Sequence, residues 1–156
     1  IFARLVVRDA KPRYDQFQAV INHWRRKDAE SVLAAMTDDI VWHVAASAKP
    51  AVVGKAAAAE FIRTFGGAIS DSPGSIRWRI FNHSETADRL FVEGVDEFDG
   101  TDGRTVVAPY AGVIEFRGDR ICGWRDYVDY LTIEKQRKGE AVPAHVAELA
   151  SRKAQG

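Results

Sequence analysis

Two aspartates stand where apolar residues belong. In the alternating segment 90–98, Leu90, Val92, Gly94, Asp96 and Phe98 share one side; in 120–130, Cys122, Trp124, Asp126, Val128 and Tyr130 do. A third row, Val106, Ala108, Tyr110, Gly112, Ile114 and Phe116, is apolar apart from one phenol. A carboxylate in apolar surroundings is costly and responds by raising its pKa and taking up a proton. Two that face a common cavity are coupled, so one can hold a proton near neutral pH while the other is ionised. That is what acid–base catalysis needs, one group to donate and one to accept. Asp96 and Asp126 are therefore the candidate catalytic residues. The same pattern also admits a structural reading, in which each aspartate pairs with arginine, accepts backbone amides at a bulge or faces water. Gly94 inside a strand leaves room for a bulge or for a group packing close.

Other chemistry finds little support. His23, His43, His83 and His145 show no metal-site spacing, no segment resembles a calcium loop, and no glycine-rich phosphate motif is present, so neither a metal nor a cofactor is expected. His43 falls off the apolar face between Trp42 and Val44, and His83 sits in a turn-like stretch beside Asn82. Asp129 falls on the face opposite Asp126, with Arg125 and Tyr127, and reads as a surface or interface group. The single cysteine, Cys122, reads as a small core residue and excludes an intrachain disulfide. The four tryptophans read as core, with Trp42 and Trp124 also placed to line a cavity.

The elements that would position these groups follow from periodicity. Tyr14, Phe17, Ile21 and Trp24 form one helical stripe, and Asp28 is a candidate N-cap for a short helix with Val32, Leu33 and Met36 as its apolar face. Lys55 to Phe65 predicts a third helix, stopped at Gly66-Gly67. The period then becomes two. Strands are expected at Ile40–Val44, around Ile76–Ile80, and over 90–98, 105–116 and 120–130, with Pro109 requiring a bulge or an edge. The tail reads as helical and broken near Pro143. Helices first and long strands afterwards predict an α+β fold, with helices covering one face of a curved antiparallel sheet.

The chain has 156 residues, 22 basic and 22 acidic, and is 46% hydrophobic, which suits one soluble domain. The ends carry net +3 (residues 1–30) and +2 (134–156), and the middle carries −5. Zero net charge argues against a nucleic-acid partner, and no apolar run is long enough to span a membrane. No leader-like segment is present, so a cytoplasmic location is expected; the first residue is Ile1, so a missing true N-terminus is allowed for.

With Trp42-His43-Val44 on a short strand, a Val53-Gly54-Lys55 helix start, and Gly123-Trp124-Arg125-Asp126-Tyr127-Val128-Asp129 on the last strand, the chain resembles the nuclear transport factor 2-like superfamily. Within it, it is most similar to the limonene-1,2-epoxide hydrolase and SnoaL-like polyketide cyclase branches. The resemblance covers about residues 13–132, with a helical extension over 133–156, in one domain spanning 1–156. It implies a cone-shaped mixed sheet wrapped on N-terminal helices, an enclosed apolar pocket, a small hydrophobic substrate and a homodimer formed through the sheet. In the epoxide hydrolase branch an arginine bridges two aspartates, and a tyrosine and an asparagine position water. Asp126 matches the base and Asp96 the acid of that scheme. The arginine position is Gly94 here, the tyrosine Trp42 and the asparagine Val44. The resemblance implies epoxide hydrolysis first. The alternatives are cyclase- or isomerase-type proton transfer on a carbonyl compound, with Tyr110 stabilising an enolate, and a non-catalytic ligand-binding or dimerising module.

Overall fold

A computed structural model describes residues 11–154. Its helices and strands run α1 (Arg13–Arg25), α2 (Ala29–Ala34), β1 (Met36–His43), β2 (Val52–Val53), α3 (Lys55–Ala68), β3 (Arg79–Glu85), β4 (Arg89–Asp99), β5 (Thr105–Arg117), β6 (Arg120–Val128), α4 (Tyr130–Arg137) and α5 (Ala144–Ala150). The strands form one open sheet of order β2-β1-β6-β5-β4-β3, antiparallel except where β1 lies parallel to β6. The mixed α+β architecture is the one expected.

The apolar stripe of α1 explains its seat. Phe17 and Ile21 are fully buried, and Tyr14, Val20 and Trp24 nearly so, against the inner face of the sheet. Asp28 accepts a hydrogen bond from the Ser31 amide and starts α2, as its residue type demands. The core behind α1 is aromatic. Trp24, Trp42, Trp78 and Trp124 pack with ring centroids 4.9–6.0 Å apart, mixing stacked and edge-on geometries. A smaller core lies on the outer face, where Phe81, Val95 and Val107 pack against Val146 and Ala150 of α5.

Several expectations change. Met36 is not on the face of α2; it opens β1, opposite Ile121. The third helix runs through Gly66-Gly67 to Ala68, where the Thr101 amide donates to the Ala68 carbonyl. His83 lies within β3, its ring stacked 3.7 Å from that of Tyr14. A bulge in β6 shifts the pairing, so Ile121 takes the inward place and Cys122 is only half-buried rather than core. The last strand stops at Val128; Asp129 then caps α4 by accepting from the Thr132 amide, and Tyr130 is helical. Pro109 pairs in regular register with Val95 on β4. Its missing N–H points the other way, toward the side β6 has already left, since β6 last pairs at Tyr110 with Val128. Two residues earlier, Gln136 of α4 fills that vacated edge: its amide exchanges hydrogen bonds of 2.8 and 2.9 Å with the Val107 N–H and carbonyl.

Candidate active site

The inner face of β4, β5 and β6 forms the wall of a cavity of about 760 Å³, closed further by Phe61 and Phe65 of α3, the 44–52 loop and α4. Register places the chemistry. Asp96 lies opposite Ala108, Asp126 opposite Gly112, and Tyr110, on the strand between, opposite Gly94 on one side and Val128 on the other. Because strand side chains alternate faces, all three point inward with small neighbours at Ala108 and Gly112. Asp96, Asp126, Tyr110 and Val44 line the cavity.

Trp42, Trp124 and Gly94 do not reach the cavity and act from behind its wall. The Trp124 indole N–H donates to Asp126 Oδ1 at 3.0 Å, and Trp42 stacks on Trp124 with centroids 4.9 Å apart. Gly94 makes room: a β-carbon there would collide with the Arg79 carbonyl oxygen on β3 and come within 3.2 Å of the Tyr110 ring. Gly112 does the same on the other side, where a β-carbon would sit 3.0 Å from Asp126 Oδ1 and 3.2 Å from Tyr110 Cε2. The phenol ring is thus seated between two glycines. Its hydroxyl oxygen accepts a 2.6 Å hydrogen bond from the Trp78 indole, in a buried setting.

The electrostatics follow from this apolar enclosure. Burial pushes the Asp96 carboxyl up to about 7; its Oδ1 is buried and has no hydrogen-bond partner among the described residues. Burial also pushes Asp126 up to about 8, the nearby Asp96 charge adding to the rise and the Trp124 hydrogen bond opposing it. Tyr110 is held well above its usual range by burial first and then by both aspartates, so it stays a neutral hydroxyl. The alternative of arginine-paired aspartates is not what the fold builds. Arg125 is on the outer face, bound to Glu115 at 2.9 Å, and Arg104 sits exposed at the cavity mouth. No cluster of three or more potential metal ligands occurs among the described residues.

Six contributors escape a sequence reading. Trp78 reads as core, and its role as donor to Tyr110 appears only in three dimensions. Phe61 and Phe65 read as helix packing yet face the cavity. Tyr130, Ile133 and Arg137 line the rim at i, i+3 and i+7 of α4, a spacing visible in the sequence once the helix start at Asp129 is known.

An open mixed sheet with helices on its inner face is the nuclear transport factor 2-like fold. A model of the SnoaL-like domain matches residues 17–124, and the chain belongs to that family. No curated protein matches the sequence. Among solved structures, an LEH-like epoxide hydrolase of M. tuberculosis superposes with a TM-score of 0.65 at 24% identity, covering 78% of this chain and 86% of its own. TerC co-crystallised with polyporic acid gives 0.69 at 20% identity, over 83% and 100% of the two chains. A chain from Shewanella putrefaciens CN-32 assigned to the SnoaL-like polyketide cyclases gives 0.70 at 13%, over 84% and 100%. At these identities the likeness establishes the fold. No helix among the described residues is long and apolar enough to cross a membrane.

Proposed function

We propose that this protein is an acid–base enzyme that transfers a proton on a small carbonyl compound with an apolar body, in the manner of an isomerase or cyclase. The carrying observation is the Tyr110 hydroxyl, fixed by Trp78 on the strand between two half-buried carboxyls in one apolar hollow. Between the raised values of about 7 and about 8 the singly protonated pair is the most populated form. The ionised one removes a proton from the carbon beside the carbonyl, and the electron pair moves to the carbonyl oxygen. Tyr110 donates its O–H to that oxygen, while the other carboxyl returns a proton to the product. Such donors gain strength in a water-poor cavity. A second reading, epoxide opening by the same pair, is favoured by the presence of both aspartates in the cavity and by the M. tuberculosis relative. It is weaker because Gly94, Trp42 and Val44 supply none of the polar groups that hold water in that scheme. We further propose a cytoplasmic homodimer joined through the outer sheet face, where Phe91 and Tyr127 are exposed; sedimentation at micromolar concentration tests it.

The test is product analysis on a panel of cyclic ketones and terpene epoxides in D2O, with wild type, Asp96→Asn and Asp126→Asn. Deuterium entering beside a ketone carbonyl, lost in either variant, supports the proposal. Diol from an epoxide without ketone exchange transfers support to the second reading. Exchange that survives both substitutions refutes the dyad.

A further inference from the structure

Charge at the mouth of the cavity is arranged opposite to charge in its depth. The deep carboxyls are held toward their neutral forms by burial, whereas the rim carries Lys49, Arg104 and Arg137 against one lining carboxylate, Asp102. Two of these cations are already engaged. Arg104 Nη1 donates to the Arg137 carbonyl at 2.7 Å and lies 3.5 Å from Asp102, and Arg137 pairs with Glu134 at 3.3 Å. Lys49 is different. Its ammonium lies 4.8 Å above the ring of Tyr130, and among the described residues no carboxylate comes within ion-pair distance of it.

Tyr130, beneath Lys49, and Arg137, whose carbonyl Arg104 bonds, are seven residues or roughly 10 Å of helix axis apart on α4. An apolar molecule entering between them passes a positive field and then an apolar wall. An anion at the mouth meets an unneutralised ammonium, while an anion carried to the bottom meets Asp96 and Asp126 with no cation beside them. We propose that the substrate is an amphiphilic anion, with an apolar body reaching Tyr110 and one carboxylate, sulfonate or comparable group left at the mouth beside Lys49. This deepens the functional reading above and rests on that cavity being the substrate site.

Binding of two probes tests it without requiring turnover: 1-anilinonaphthalene-8-sulfonate, and its uncharged counterpart N-phenyl-1-naphthylamine, titrated by fluorescence at low ionic strength. The expected result is that the probes displace one another and the sulfonate binds more tightly, with an advantage that shrinks as salt is added. Lys49→Gln weakens the sulfonate about threefold and Lys49→Glu about tenfold, the range of a partly exposed ion pair. Lys49→Arg restores it, and the neutral probe is unchanged throughout. Independent binding of the two probes, equal affinity, or equal weakening of both in Lys49→Gln would overturn the proposal. Asp126→Asn separates the two readings. If it retains the sulfonate preference while wild type exchanges no ketone proton, the catalytic proposal fails and the anion site stands. Ketone exchange with no sulfonate preference keeps the catalytic proposal and overturns the anion site.

Discussion

Replacing Asp126 with asparagine should make the protein more stable at neutral pH and catalytically dead. The carboxyl ordinarily titrates at 3.8, and burial raises it to about 8 in the fold. A folded state that keeps its proton to higher pH than the unfolded chain loses stability as pH climbs from 3.8 toward 8, because only the unfolded chain ionises freely. At 1.36 kcal/mol per pH unit, the cost of Asp126 reaches a ceiling of about 4 kcal/mol at pH 7. Asparagine keeps the shape and still accepts from the Trp124 indole, but cannot ionise. Water at the open rim screens the burial cost by about half, so the net gain should be about 2 kcal/mol. For a chain of this size that is roughly 4–8 °C in Tm. Urea unfolding of wild type and variant at pH 7 and pH 4.5 measures it. At pH 4.5 the ceiling falls to about 1 kcal/mol, so the gain should shrink to about a quarter. Equal or lower stability of the variant at pH 7, or a gain independent of pH, would refute the placement of Asp126 in an apolar enclosure.

The activity should follow the same carboxyls. With the pair raised to about 7 and about 8, the singly protonated form peaks between those values, and wild-type kcat/KM on an exchanged ketone should trace a narrow bell centred there, while either aspartate-to-asparagine variant should show no exchange at any pH. Tyr110→Phe strips the Trp78 indole of its buried acceptor and should cost about 1–3 kcal/mol in denaturant unfolding. It should also lower kcat by about a hundredfold with little change in KM. Gly94→Ala pushes a methyl group into the Arg79 carbonyl and toward the Tyr110 ring, so β3 must move; about 1–3 kcal/mol of stability should be lost. Amide exchange at residues 79–82, measured by NMR, should accelerate in that variant.

The aspartate pair was legible in the sequence because the parity of β4 is unbroken from Leu90 to Phe98 and that of β6 from Trp124 to Val128. Upstream in β6 the bulge reverses parity, so Cys122 looked inward when Ile121 is the buried residue. No periodic pattern could have shown this, since a bulge is a property of pairing and not of composition. The far end of β3 failed for a different reason. As the last strand of the sheet it pairs only with β4, its residues from Asn82 to Glu85 are exposed, and a strand wet on both faces has no alternation to read. Gly66-Gly67 looked like a helix stop, but the contacts of Ala68 and Ile69 with Thr101 and Gly100 set the end. Tertiary contact outweighed local propensity there.

The most consequential departure from the family resemblance is also the one the backbone explains. The resemblance to the epoxide hydrolase branch implies an arginine between the aspartates at the position of Gly94. Here the ring of Tyr110 leans over that glycine, and the Arg79 carbonyl closes the remaining space, so no side chain fits at 94 without displacing β3 or the phenol. The arginine and this seating of Tyr110 are mutually exclusive. With no cation beside them, burial raises Asp96 and outweighs the Trp124 hydrogen bond at Asp126, so both carboxyls are raised. On the proposed reading the pair is therefore two carboxyls raised by burial beside a neutral hydroxyl donor. A couple of that kind is better suited to returning a proton to carbon than to polarising attacking water.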